Sequence, residues 1–377
     1  MTDAAPIPLV DLHWQHREVA AEVEAGIARV VASGAFVLGP DVAAFEERFA
    51  AHAGAAHCIG VANGTDALEL ALRAQGVGAG DEVIVPVNTF VASALAVVRA
   101  GAVPVFVDCD ERFAHVDAAQ VEAAIGPRTR ALLPVHLYGQ MAPIAPLRAI
   151  AERHGLVLVE DAAQSQGARQ RTDGREWRAG SAGDAAGTSF YPGKNLGAWG
   201  DAGAVLTNDD ATAARVRALR NYGSERKYHH PVAGFNSRLD TIQAVVLAAK
   251  LARLDAWNAL RREAAARYDA LLAGDERVVL PATAPGNEHV WHLYVVRVPR
   301  RDAVLEALHA RGIGAGIHYP FPLHRTGAFE ASARPGAFPV AERMAGELLS
   351  LPLFPGIAEA QQERVAAALR EALDARS

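Results

Sequence analysis

The chain has 377 residues, 51% of them hydrophobic, and 37 Lys and Arg stand against 43 Asp and Glu for a net charge of −6. That length and apolar content support a large core divided among two or three domains. Basic residues are dispersed and form no basic tail, which argues against nucleic acid as a partner. No apolar run free of Gly, Pro or charge reaches the ~20 residues that span a bilayer, so no membrane span is expected.

In chain order, Met1 to Pro6 carry neither a basic n-region nor an apolar h-region, so no secretory signal is expected and a cytoplasmic location is. Cys58 and Cys109 form no C-x-x-C pair and are expected to be reduced thiols in or near the core. The pattern predicts an N-terminal segment over 1–35 with a helix over 19–32, packing on the domains that follow. Asn63-Gly64-Thr65-Asp66 precedes an apolar helix over 67–73. Strands are predicted over 83–86, 103–107, 131–135, 156–160, 188–191 and 204–207, and helices over 92–100 and 144–154. Short apolar strands separated by helices predict an α/β fold, a mostly parallel sheet covered on both faces, for a large domain over 36–250. From 238 to about 272 the chain has no Gly or Pro and apolar residues recur near helical spacing, which predicts one long helix, with a break near Asp255. A strand over 292–298, a helix over 303–311, a strand over 313–319 and a last helix within 357–373 predict a smaller α+β domain over 251–377.

Parallel sheets bind ligands beyond the carboxyl ends of their strands. Asn88, His136 and Asp161 fall at such ends. Asp161 lies in Glu160-Asp161-Ala162-Ala163-Gln164, and downstream stands Ser189-Phe190-Tyr191-Pro192-Gly193-Lys194-Asn195-Leu196-Gly197. An acid at a strand end followed by a lysine in a Ser/Gly-rich loop is what pyridoxal phosphate (PLP) chemistry requires. The lysine bonds the cofactor aldehyde, and the acid holds the proton on the pyridine nitrogen. Gly64-Thr65 at a helix N-terminus offers N–H groups and a hydroxyl to an anion, and Ser189 a second hydroxyl; plain N-capping is the competing reading. Phe90 after the 83–86 strand is a candidate to stack on a planar ring, or else a core residue. Gln164 is a candidate donor to the phenolic oxygen of the cofactor.

Other motifs point elsewhere or nowhere. Gly76, Gly78 and Gly80 precede a strand and complete no G-x-G-x-x-G, and Gly312-Ile313-Gly314-Ala315-Gly316 lacks a strand–turn–helix setting, so no dinucleotide site is expected. His13/His16 and His289/His292 lack further ligands, and no metal site is expected. Asn63-Gly64-Thr65 fits a glycosylation sequon by pattern only. No G-x-S-x-G elbow is present.

These residues, with Gly34-Ala35-Phe36-Val37-Leu38-Gly39-Pro40, Phe45-Glu46, Gly64-Thr65-Asp66-Ala67-Leu68, Val107-Asp108, His136-Leu137-Tyr138-Gly139-Gln140, Gly234-Phe235-Asn236-Ser237-Arg238-Leu239-Asp240 and His318-Tyr319-Pro320, span nearly the whole chain. In these motifs and their order the chain resembles the sugar aminotransferases of the DegT/DnrJ/EryC1/StrS group, PLP enzymes of fold type I. The resemblance implies a seven-stranded sheet with a smaller C-terminal domain. It implies Lys194 as Schiff-base lysine and base, Asp161 on the pyridinium, Gln164 on the phenolic oxygen, Phe90 on the ring, and Gly64, Thr65 and Ser189 on the phosphate. It further implies that Asn236 reaches the phosphate of a neighbouring subunit, making a homodimer obligatory. Substrate contacts are expected from Tyr191, Asn195, Tyr228, His229, Arg238, His318 and His324, with Arg226-Lys227-Tyr228-His229-His230 as a loop for the nucleotide diphosphate. Gln166 departs from the histidine frequent in relatives, and glutamine cannot titrate near neutral pH.

Tyr191-Pro192-Gly193-Lys194-Asn195-Leu196-Gly197-Ala198 followed by Gly200-Asp201 looks most like enzymes that aminate C3 of nucleotide-linked 3-keto-6-deoxyhexoses, with dTDP as the expected nucleotide and L-glutamate, released as 2-oxoglutarate, as the expected amino donor. Amination at C4 of a dTDP- or UDP-4-keto sugar and at C3 of a UDP-3-keto-N-acetylglucosaminuronate are alternatives. So are a PLP-dependent sugar dehydratase, disfavoured by the presence of Lys194, and a ligand-sensing regulator on the same fold, disfavoured by intact catalytic parts.

Overall fold

In a computed structural model, which describes residues 5–332 and 334–375, the chain builds a seven-stranded sheet, two smaller sheets and twelve α-helices among the described residues. Two helices open it, α1 (Leu12–Ser33) and α2 (Pro40–Ala53), each closed by a glycine in the left-handed region, Gly34 and Gly54. Next come β1 (His57–Val61), α3 (Gly64–Ala74), β2 (Glu82–Pro86), α4 (Val91–Ala100) and β3 (Val103–Val107). They are followed by α5 (Ala118–Ala123), β4 (Thr129–Leu132), α6 (Ile144–His154), β5 (Val157–Asp161), a hairpin of β6 (Arg169–Thr172) and β7 (Arg175–Arg178), then β8 (Ala185–Ser189), β9 (Gly203–Thr207) and α7 (Asp210–Leu219).

The sheet order is β1-β9-β8-β5-β4-β2-β3. All neighbours pair in parallel except at β9, which runs antiparallel to both β1 and β8. Central strands are buried on both faces and read as apolar runs: Val83, Ile84 and Val85 of β2 are 0–2% exposed. The active ends of β5 and β8, with the N-terminus of α3, therefore meet at one edge of a rigid layer.

The rest of the chain is α8 (Thr241–Leu251), α9 (Leu254–Leu272), β10 (Asn287–Glu288), β11 (Tyr294–Arg297), α10 (Arg301–Ala310), α11 (Pro339–Ala345), β12 (Leu348–Leu351) and α12 (Glu359–Asp374). β11 and β12 pair antiparallel, and α9, α10 and α12 close a second core around Tyr268, Tyr294, Val296 and Leu369. The N-terminal segment touches both parts. Ile7 pairs with Ile313 and joins the second core, while Val19 and Val23 of α1 pack on Val246 and Trp257.

Several expectations are corrected. The helix expected from 238 begins only at Thr241, while the break expected near Asp255 is present at Ala252 and Arg253, between α8 and α9. The strand expected over 313–319 reduces to single bridges at Ile313 and Gly316, because its alternating glycines let the chain contact Ile7 and Ser350 at separate points. The 188–191 strand is β8, shifted earlier to end at Ser189, where Tyr191 and Pro192 turn the chain into the lysine loop. Pro134 ends the 131–135 strand early, at Leu132. β1, the β6–β7–β10 sheet and β12 are short elements that the periodicity did not reveal.

Candidate active site

Two adjacent acids at the end of β5 point to opposite faces, as strand alternation requires. Glu160 is fully buried; it accepts from His136 Nε2 at 2.7 Å and from the N–H groups of Gly180, Ala182 and Gly183 at 3.1, 2.8 and 2.7 Å. His136 Nδ1 accepts from the Ala142 N–H at 3.0 Å, which leaves the ring proton on Nε2, facing Glu160. Asp161 faces the ligand side. Its Oδ2 accepts from Ser93 Oγ at 2.7 Å and its Oδ1 from the Ala163 N–H at 3.1 Å. Burial pushes the Asp161 carboxyl up, against the Ser93 and Ala163 hydrogen bonds and the positive charge of Lys194. Ser93, held by Thr89 Oγ1 at 2.9 Å, is a site residue the sequence reading missed. Its one signal is a serine in the first turn of α4, whose other residues, Arg99 apart, are apolar.

The N-terminus of α3 and the end of β8 touch. A Cβ on Gly64 would sit 2.5 Å from Ser189 Cβ, and one on Gly203 would sit 2.4 Å from Asn63 C and O, so glycine is required at both close approaches. Asn63 caps α3 by accepting from the Asp66 N–H at 2.8 Å. Capping and anion binding are thus compatible: Asn63 serves Asp66, and the Gly64 and Thr65 N–H groups, without a partner among the described residues, stand at the positive end of the α3 dipole.

Lys194 sits on a loop folded back on itself, with its own N–H bonded to Tyr191 O at 2.8 Å and the Ala198 N–H to Phe190 O at 2.7 Å. Burial lowers its ammonium from the ordinary value to about 8, with the Asp161 charge opposing the drop. An amine so tuned is available in its neutral form near physiological pH.

Gln164 bridges two elements: its Oε1 accepts from the Tyr138 N–H at 2.7 Å and its Nε2 donates to Tyr319 Oη at 2.9 Å. The Tyr319 ring lies 5.4 Å from that of Phe90, which is 51% exposed and forms an open wall. Tyr138 Oη donates to His318 O. His318 Nδ1 meets Ser350 Oγ at 2.8 Å, and burial together with the charge of Lys194 lowers its pKa to about 4, so this ring is neutral.

Lys194 lies close enough to Asp161 and His318 for its charge to act on both, Gln164 and Phe90 both meet Tyr319, and Asp161 pairs with Gly187 on β8, two residues before the Ser189 that touches Gly64. Tyr191 is 58% exposed. Tyr228, His229, Asn236 and Arg238 lie on a surface strap over 221–238 whose ends pair at Asn221 and Asn236. Arg238 reaches Asn221 Oδ1 at 3.4 Å and covers the Tyr222 ring. Two expected substrate contacts are corrected. Asn195 is buried and gives its amide hydrogens to Asn258 Oδ1 and Val290 O, both at 2.8 Å, leaving none for a sugar. His324 is enclosed, with Nε2 on Glu342 Oε1 at 3.0 Å and its ring against Phe338. Gln166 is a neutral tie: its Nε2 contacts Ala163 O at 3.2 Å and Thr188 Oγ1 and Ser189 O at 2.9 Å.

This arrangement fits PLP. The glycine cradle at Gly64 leaves room and N–H groups for a phosphate, and the buried Asp161 lacks a full counter-charge that a protonated pyridine nitrogen would provide. When bound, PLP supplies an aldehyde that takes up amino groups and a ring that accepts the electron pair left by a departing proton.

The mostly parallel sheet, with a buried lysine and a buried acid near its strand ends, is that of a PLP-dependent transferase of fold type I. The chain belongs to the DegT/DnrJ/EryC1/StrS aminotransferase family, which it matches over residues 17–370, and its cofactor is pyridoxal 5′-phosphate. It is 52% identical to the dTDP-3-amino-3,4,6-trideoxy-alpha-D-glucose transaminase of Streptomyces venezuelae, over 97% of this chain and 96% of that one. It is 50% identical to the erythromycin biosynthesis sensory transduction protein EryC1 of Saccharopolyspora erythraea, over 97% and 99%. The crystal structure of S. venezuelae DesV in complex with a ketimine intermediate superposes with a TM-score of 0.95 at 50% identity, covering 99% of this chain and all of that one.

Proposed function

We propose that this chain transfers the amino group of L-glutamate to the C3 keto group of a nucleotide-linked 3-keto-6-deoxyhexose, with dTDP as the nucleotide. The observation that carries this reading is the convergence of Lys194, Asp161 and the Gly64–Ser189 cup in a chain 52% identical to a relative named for that class of sugar. Lys194 takes a proton from the donor's α-carbon and returns it one position away, which its lowered pKa permits near neutral pH. Asp161, oriented by Ser93, holds the proton on the ring nitrogen. Gly64, Thr65 and Ser189 would hold the phosphate, and Phe90, beside Tyr319, would offer an aromatic surface to the ring.

The active unit in this reading is a cytoplasmic homodimer with shared sites. Its support is the set of exposed apolar and aromatic side chains, among them Phe36, Val37, Tyr191, Tyr222, Tyr228 and Phe321 at 46–82% exposure. Asn236 of a second copy would complete the phosphate site, and the strap with Tyr228, His229 and Arg238 would meet the nucleotide diphosphate.

The test loads the protein with PLP and follows loss of the lysine-bound cofactor absorbance with a panel of nucleotide-linked 3-amino and 4-amino sugars, with L-glutamate as donor control. Conversion by dTDP-3-amino-6-deoxyhexoses alone supports the proposal. Conversion by 4-amino or UDP-linked sugars moves the position or the nucleotide. The sensory name of the second relative favours a ligand-sensing reading, and absence of any response to glutamate or to the panel would select it.

A further inference from the structure

The loop that carries Lys194 is gripped from behind by two buried polar side chains of α8 and α9. Lys250, in the last turn of α8, is 3% exposed, and its Nζ donates to Gly197 O at 2.7 Å. Asn258 of α9 is 2% exposed; its Oδ1 accepts from Asn195 Nδ2 at 2.8 Å, and its Nδ2 donates to Gln166 O at 3.0 Å. The Gln166 amide in turn donates to Ser189 O, so the Asn258 and Gln166 side chains together link the lysine loop, the turn after Asp161 and the backbone of Ser189.

The chemistry of Lys250 is unusual for a structural residue. Burial is the sole influence on its ammonium, pulling it down to about 8, and among the described residues no carboxylate pairs with it. Its neighbours on α8 are apolar, Val246, Leu247, Ala249 and Leu251. A buried cation without a counter-charge opposes folding, and a methionine would fill the same space without that penalty. What the lysine adds is a charge-assisted hydrogen bond on a loop three residues from Lys194. The loop is tightly folded there, since a Cβ on Gly197 would stand 2.2 Å from Pro192 O, and displacement of Gly197 therefore moves the whole turn.

We propose that Lys250 and Asn258 are positioning residues of the reaction, which together set where the Lys194 amine stands relative to Asp161 and the phosphate cup. This inference rests on Lys194 being the cofactor-bearing lysine. Both residues act through the backbone and the buried amides and leave the chemistry to Lys194. A misplacement of about 1 Å at a reacting group lowers a rate by up to about a hundredfold, so small movements of the loop are enough.

The experiment compares wild type, Lys250→Met, Lys250→Arg, Asn258→Ala and Lys194→Ala as full-length chains loaded with PLP. Visible absorbance reports capture by the lysine, visible circular dichroism reports the orientation of the bound ring, and single-turnover rates with L-glutamate are measured per bound PLP. Lys250→Met is expected to capture PLP, change its visible dichroism, and react about tenfold to a hundredfold more slowly at saturating glutamate. Its half-saturating glutamate concentration and thermal midpoint should be nearly unchanged, and Lys250→Arg should recover part of the rate. Asn258→Ala should show the same dichroism change. If Lys250→Met matches wild type in dichroism and in rate per bound PLP, the inference is overturned, whether or not Asn258→Ala folds. Retention of the lysine-bound absorbance by Lys194→Ala would instead overturn the assignment of Lys194.

Discussion

Glu160 and Asp161 are neighbours in the chain, both buried at the end of one strand, yet they serve different ends. Glu160 accepts four hydrogen bonds, from one histidine and three backbone N–H groups, and has no capacity left. Asp161 accepts two and lies within reach of the Lys194 charge. Burial of a charge is therefore no sign of function by itself. Unspent bonding capacity, directed at a space with complementary groups, is the sign.

The largest effect expected is at the lysine on the Asp161 side. Lys194→Ala should lower turnover on the order of 10⁴-fold or more and abolish the lysine-bound absorbance, measured by multiple-turnover assay and spectrum. Next, Asp161→Asn should lose about 10²- to 10³-fold in rate while still binding PLP, because the amide cannot hold the ring proton as an ion pair. A near-normal rate would erase the distinction between the two acids. Glu160→Gln should give the opposite pattern. Its unfolding free energy should fall by about 3 kcal/mol, since each Glu160 oxygen accepts two hydrogen bonds and an amide NH2 in place of either leaves two N–H donors without an acceptor, while kcat per folded molecule stays near wild type in a denaturation and kinetic comparison.

Ser189→Ala should weaken PLP binding by roughly tenfold, one charged hydrogen bond, with little change in rate at saturating PLP. The smallest effect is a pH dependence. Burial places the Lys194 ammonium near 8, so capture of PLP by the apo chain should accelerate as pH rises towards about 8 and level off above it. Only the neutral amine attacks an aldehyde, and its fraction grows about tenfold per pH unit below the pKa. A plateau first reached near the ordinary lysine value would show that the amine is solvated in the apo site.

The candidate site was legible where chemistry is local. Asp161 followed by Gln164, the Gly64-Thr65 turn and the Ser189 to Gly197 loop are each short stretches whose residue types suggest a role, and the fold brings Gly64 against Ser189 and the Lys194 charge to Asp161. Asn195 and His324 were misread because their side-chain types suit a sugar, whereas their partners, Asn258, Val290 and Glu342, lie 63, 95 and 18 residues away. Ser93, Lys250 and Asn258 were not read as site residues for the same reason: each sits on a helix whose pattern reports only which face is apolar.

The sequence by itself determined the α/β class and the succession of central strands and helices, and it proposed the acid–lysine pair, because periodicity and strand-end chemistry are local properties of the chain. Tertiary structure decided what no short window contains. It set β9 antiparallel between β1 and β8, ran the N-terminal segment across both cores, and divided two adjacent carboxylates into a closed structural cluster and an open site. The physical reason is that a side chain's free bonding capacity depends on which distant groups packing brings to it.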